Sequence, residues 1–176
     1  MITLCCTKKL RKYLGITPVN QPDPPSAALG NWYANLIPTV AGDLIIFVNE
    51  RTLLTVAIPV WESDRLLELF NLRVANLLRM LGIPQQIIDL ETGHFDRVQF
   101  GKTASRSVLG SMNDIAWHYQ FRAEDAVSKA DLSLSKIELM FSEIPFKSID
   151  FQFPSEAAWE LLKKSADNSH SGDRFR

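Results

Sequence analysis

Cysteine is scarce in this chain of 176 residues, and the two that occur, Cys5 and Cys6, are neighbours. Adjacent cysteines do not meet ordinary disulfide geometry, so a disulfide-stapled scaffold is excluded. No apolar run approaches the roughly 18–20 residues of a membrane span. The opening places apolar ITLCC before the charges of KKLRK, the reverse of a secretory signal peptide. Surplus charge is missing as well, with 19 Lys plus Arg against 20 Asp plus Glu. The molecule therefore has no overall basic field to drive nucleic-acid binding, and any such contact needs a local patch. Internal repeats and low-complexity tracts are lacking. What remains is the expectation of a soluble, reducing, cytoplasmic protein without a membrane partner, its 46% hydrophobic content sufficient for one core.

The pattern along the chain reads as β-α-βββ-α-β-α-α-β-α. ITLCC suits a short buried strand, and no second signal supports lipidation of its cysteines. Thr7 caps a brief helix that stops at Gly15. Pro18, Pro22, Pro24 and Pro25 then demand an irregular connection. NWYANLIPTV, DLIIFV and TLLTVAIPV form a three-stranded meander, with Leu54, Val56, Ile58 and Val60 on one face of its third strand. Trp32 and Tyr33 in NWYAN, beside the Asn35 carboxamide, either form a binding platform or, the better reading, finish a core with one partner for each polar tip, and Asn49-Glu50-Arg51 is turn chemistry.

Ser63 is placed as the cap of a helix whose stripe is Leu66, Phe70, Val74, Leu77, Leu78 and Leu81. A short helix from Pro84 to Leu90 and a strand at 97–100 follow. Val108, Met112, Ile115 and Tyr119 define an amphipathic helix from 105 to about 121. Residues 131–143 read as another helix, SIDFQF alternates like a strand, and Pro154-Ser155-Glu156 opens a last helix. The result is a single α+β domain over residues 1–165, a mainly antiparallel sheet covered by helices, followed by a mobile tail at 166–176.

The stretch KTASRSVLGSMND, residues 102–114, poses the question of a phosphate cradle. Such a loop needs a glycine five positions before its Gly-Lys pair, and here that position is Asp96. A carboxylate there repels phosphate, which removes the nucleoside triphosphate reading. A simpler anion site survives: Lys102, Thr103, Ser105, Arg106 and Ser107 crowd the first turn of a helix with unpaired backbone donors. The bland alternative has Thr103 or Ser105 merely capping that helix. Lys8, Lys9, Arg11 and Lys12 form the dense basic cluster, which is either a contact face or a solvated helix surface.

Asp114 and His118 stand at i and i+4, a pairing that orients an imidazole for proton transfer or serves as a surface pair. Glu91, His94 and Asp96 supply metal-capable atoms at no standard ligand spacing. No metal site and no cofactor is expected. His170 falls in the tail.

The stretches CTKKL, NWYANL, FVNERTLLTVAIPV and FGKTASRSVLGSMNDIAW together resemble a bacterial family of domains of unknown function. Shorter relatives in that family accompany a plasmid open-reading-frame-three-like domain. The resemblance spans residues 1–162 and carries no catalytic set to transfer. It implies a role near mobile elements, defence or nucleic-acid processing.

The leading expectation is a noncatalytic binding or regulatory module that meets a protein or nucleic-acid partner through Lys8–Lys12 and Lys102–Ser107. If the two segments lie on opposite sides of the domain, the shared surface fails. One alternative is a small hydrolase of a phosphate-containing substrate, with Arg106 holding the anion and Asp114 and His118 moving protons. Another is an inhibitor or antitoxin-like protein acting through an exposed apolar patch.

Overall fold

A computed structural model describes residues 1–125 and 133–172. One five-stranded sheet, in the order β4-β3-β2-β1-β5, carries helices on both faces, giving a single α+β domain. The strands are β1 (Ile2–Cys6), β2 (Trp32–Ile37), β3 (Leu44–Asn49), β4 (Thr55–Pro59) and β5 (Val98–Lys102). The meander β2-β3-β4 is antiparallel, as its short connections require. β1 joins β2 in parallel and β5 joins β1 in parallel, so only β3 runs against the other four. Parallel neighbours need long crossovers, and the proline-rich segment and the helices after β4 supply them.

Side-chain alternation sorts two cores, one per face. On one face Ile2, Leu4, Trp32, Phe47, Val56 and Ile58 meet Leu10 of α1 (Lys8–Leu14) and Phe70, Val74 and Leu78 of α2 (Leu66–Met80). They also meet Ile88 of α3 (Gln85–Gly93) and Leu162 of α6 (Pro154–Gly172). On the other face Tyr33, Ile46 and Ala57 meet Val108, Met112, Ile115 and Tyr119 of α4 (Arg106–Asp125). Ile137 and Phe141 of α5 (Leu134–Ser142) complete that layer. The stripe read from the sequence on α4 is buried throughout.

Both sheet edges are covered, which removes the exposed donors and acceptors that invite edge pairing. Along β5 lies the proline-rich segment: Val19 N–H donates to Phe100 O at 2.8 Å, and Asp23 N–H donates to Gln99 Oε1 at 3.0 Å. At β4, the Ala57 N–H donates to the Glu138 carboxylate at 2.9 Å. The turn chemistry of Asn49 is fully committed: its Nδ2 donates to Leu29 O and Asn31 O, and its Oδ1 accepts from Arg51 N, Thr52 N and Thr52 Oγ1.

The structure corrects two readings. Ser63 does not cap α2, because residues Val60–Arg65 form a 3₁₀ turn and the helix starts at Leu66. SIDFQF is not a strand: Lys147–Ile149 is a 3₁₀ turn, and Asp150 and Phe151 both have positive φ, 55° and 61°. The alternation there comes from a tight turn that seats Phe146 and Ile149 against the second core. The last helix, α6, runs Pro154–Gly172. Residues 173–176 of the expected tail, and 131–132 at the start of the expected 131–143 helix, lie outside the described residues. Among the described residues no helix is long and apolar enough to cross a membrane.

Candidate binding surface

Register starts the two basic segments at one end of the sheet. In the parallel β1–β5 ladder Cys6 stands opposite Lys102, so both strands end at the same level of the sheet. One residue later Thr7 opens α1, and four residues after Lys102 Arg106 opens α4. The chain leaves β1 toward one face and β5 toward the other, since α1 packs on the first core and α4 on the second. Neighbouring parallel strands whose continuations part in this way form the crevice where open sheets commonly hold ligands.

The local anchors of this end are hydrogen bonds. Thr7 Oγ1 accepts the Leu10 N–H, capping α1, and donates to Asn35 Oδ1 at 2.8 Å. Gly15, at φ 66°, closes the same helix in the left-handed conformation that glycine adopts without penalty. Tyr33, buried in the sheet, aims its phenol at the entry to α4, where it accepts Ser105 N–H at 3.0 Å and Ala104 N–H at 3.4 Å. Ser105 Oγ accepts the Val108 N–H at 3.3 Å. Ser105 is therefore the cap of α4, and its hydroxyl is occupied in that role.

Lys8, Lys9, Lys12, Lys102, Arg106 and Ser107 are exposed, whereas Thr103 and Arg11 are half-buried. Arg11 donates through Nε to Cys6 O at 3.2 Å. Among the described residues the ion pairs are Arg65–Glu68 and Arg73–Glu138. None of the basic side chains of this end is therefore neutralised by a described carboxylate. Cys5 and Cys6 lie beneath it as thiols, and burial pushes them up to about 11 and about 12.

The three residues of the alternative catalytic set do not converge. Arg106 and His118 are twelve positions apart on one helix, roughly 18 Å along its axis. Asp114 is exposed and makes no hydrogen bond to His118, whose ring stands edge-on to Trp117 and Phe141 at 5.0 and 5.7 Å.

The Glu91–His94–Asp96 segment is likewise spoken for. Glu91 is buried, and its two oxygens accept Ala28 N–H at 2.8 Å and Leu29 N–H at 3.0 Å, fastening the connection that precedes β2. Burial raises its pKa against the pull of those two donors. His94 Nδ1 pairs with Ser26 Oγ at 3.0 Å, and partial burial lowers its pKa. Asp96 is exposed. Among the described residues no three His, Cys, Asp or Glu side chains are grouped to hold a metal ion.

Sequence reasoning passed over two features of the region. The core role of Tyr33 and the need of its polar tip for a partner are readable in NWYAN, but the partner itself, the entry to α4, has no local signal. Trp117 and Phe121, which stand at i and i+4 off the buried stripe of α4, are exposed together.

A family model described as Domain of unknown function (DUF6933) matches residues 3–157. The chain belongs to this family. The matched range begins in β1, includes every strand and both basic segments, and ends in the first turn of α6. No curated protein and no solved structure matches the chain.

Proposed function

We propose that this chain is a noncatalytic binding module that meets an anionic partner, a nucleic acid or an acidic protein surface, at the carboxyl end of β1 and β5. The observation that carries the reading is the Cys6–Lys102 register, which starts two basic segments about 90 residues apart in sequence at one end of the sheet, from which they continue onto its two faces. Their cations have no described carboxylate to neutralise them. Unpaired, solvated lysines and arginines are available to displace counterions from a polyanion. Because the whole chain is close to neutral, the attraction is local and short in range.

Direct titration against labelled single-stranded and double-stranded oligonucleotides and an oligoglutamate peptide tests it. At least one polyanion binds, and log affinity falls linearly with log salt. Lys8→Glu with Lys102→Glu weakens the binding and flattens that slope. Affinity for none of the three, or affinity indifferent to salt, would remove the proposal.

A further inference from the structure

The far half of α4 carries a second surface of the opposite character. Trp117 is 59% exposed and Phe121 46% exposed, and their rings stack at 5.6 Å with an interplanar angle of 15°. They form one wall of an open cleft of about 560 Å³ whose other wall is the start of the β2–β3 connection, Pro38, Thr39 and Val40. Gln120 spans the base by donating from Nε2 to Pro38 O at 3.0 Å, tying the walls together. Glu124 closes the lining, exposed and with no hydrogen-bond or ion-pair partner among the described residues. Asp114, one turn before Trp117, is exposed and unpaired as well. The helix thus shows an acid, two aromatics and an acid at Asp114, Trp117, Phe121 and Glu124, a single stripe at i, i+3, i+7 and i+10. Arg122, the nearest cation on the helix, turns away and contacts Met140 Sδ of α5.

We infer that this cleft takes an arginine side chain from an extended segment of a partner protein. The argument is charge complementarity joined to shape. An exposed indole face with a free carboxylate beside it attracts a cation, through the ring quadrupole and through the charge. A guanidinium suits it better than an ammonium, because it is planar, stacks on a ring and offers a fork of donors to one carboxylate. Pro38 and Val40 supply apolar surface for the three-carbon stem. Acidic ligands are disfavoured by Glu124 and Asp114, which separates this surface from the cationic end of the sheet. Arg106 and Trp117 are eleven residues apart, roughly 16 Å along α4, so the helix shows opposite charge preferences at its two ends.

The probe is a blocked Gly-Arg-Arg-Gly peptide titrated into the uniformly ¹⁵N-labelled full chain, with the same peptide carrying citrulline as control. Trp117→Phe identifies the Trp117 indole signal among those of the four tryptophans. The arginine peptide shifts that signal saturably, with a dissociation constant in roughly the millimolar range or tighter. The citrulline peptide binds at least about five-fold more weakly, since it keeps the shape and loses the charge. Glu124→Gln weakens the arginine peptide by a similar factor of about five, and Trp117→Ala abolishes the saturable shifts while the remaining spectrum stays dispersed. Lys8→Glu with Lys102→Glu leaves this titration unchanged, so failure here and failure of the anionic contact are separable. Equal binding of the citrulline peptide, or of an uncharged Gly-Pro-Pro-Gly peptide, would overturn the inference in favour of an apolar groove. Shifts confined to other residues, or none at Trp117 up to about 5 mM peptide, overturn it too.

Discussion

Arg73 and Glu138 meet around the β4 edge of the sheet, one from each helical layer. Arg73 belongs to α2 on the first face and Glu138 to α5 on the second, and the guanidinium Nε donates to Glu138 Oε1 at 3.2 Å. The same oxygen accepts the Ala57 N–H of edge strand β4 at 2.9 Å. One carboxylate therefore satisfies an edge donor and clips two layers that the sheet otherwise separates.

That position makes stability depend on pH. Burial is the largest influence on Glu138 and pushes it up to about 7 from 4.5, against the opposing pull of Arg73 and the Ala57 amide. Below pH 4.5 the carboxyl is protonated in folded and unfolded chains alike. Between 4.5 and 7 the folded chain keeps a proton that the unfolded chain has released, so stability falls as pH rises and levels off above 7. The loss is on the order of 3 kcal/mol. Urea unfolding at a series of pH values measures it, and Glu138→Gln flattens the profile across this window. An unchanged slope in the variant would show that Glu138 does not carry the dependence.

Gly101 and Thr3 set a second test. The two strands approach so closely that a Cβ on Gly101 would lie 2.9 Å from Thr3 Cγ2. Thr3 is buried and β-branched, so it has little freedom to retreat. Gly101→Ala therefore destabilises by about 1–3 kcal/mol. Thr3→Ser removes the offending methyl, and the double variant recovers most of the loss. Strict additivity of the two substitutions in chemical denaturation would contradict the contact.

What the sequence disclosed and what it hid divide along contact distance. Thr7, Gly15, the meander and the α4 stripe were legible because caps, turns and periodicities are local chemistry. The parallel placement of β1 between β2 and β5 was not, because strand order rests on pairings such as Cys6 with Lys102. Glu138 looked like one more charge on a weakly patterned helix, and only the fold places Arg73 and Ala57 beside it. SIDFQF misled for another reason: a left-handed pair at Asp150 and Phe151 has no glycine to announce it. The basic residues of the candidate surface were readable one by one, whereas their sharing of one end was not.

The cysteines yield a chemical prediction. Cys5 and Cys6 are pushed up to about 11 and about 12, burial being the first cause for each, followed by the Glu50 charge at Cys5 and by Cys5 itself at Cys6. The thiolate is the nucleophile, so at pH 7–8 both react with aromatic disulfides much more slowly than a free cysteine. Two thiols per chain titrate promptly once the protein is unfolded in denaturant. Prompt reaction of both in the native state would mean that β1 opens far more readily than its place between β2 and β5 implies.

Tyr33 links the fold to the proposed anionic contact, and removing one atom tests that link. Its phenol oxygen accepts the Ser105 and Ala104 N–H groups where the chain turns from β5 into α4, next to Lys102 and Arg106. Tyr33→Phe keeps the ring in the core and every cation at the surface, but leaves those two amides without their acceptor. The expected cost to stability is about 1 kcal/mol, because the entry is partly solvated and water replaces the lost bond in part. The consequence for binding differs from that of a charge substitution. Relaxing the α4 entry lowers polyanion affinity through misplacement of Lys102 and Arg106, while the number of cations engaged, and hence the slope of log affinity against log salt, stays the same. Lys102→Glu, by contrast, reduces both. Parallel salt titrations of the two variants distinguish these behaviours. A Tyr33→Phe protein that binds as tightly as the parent would show that the geometry of this turn is irrelevant to the surface, and that the cations act merely as a diffuse charge.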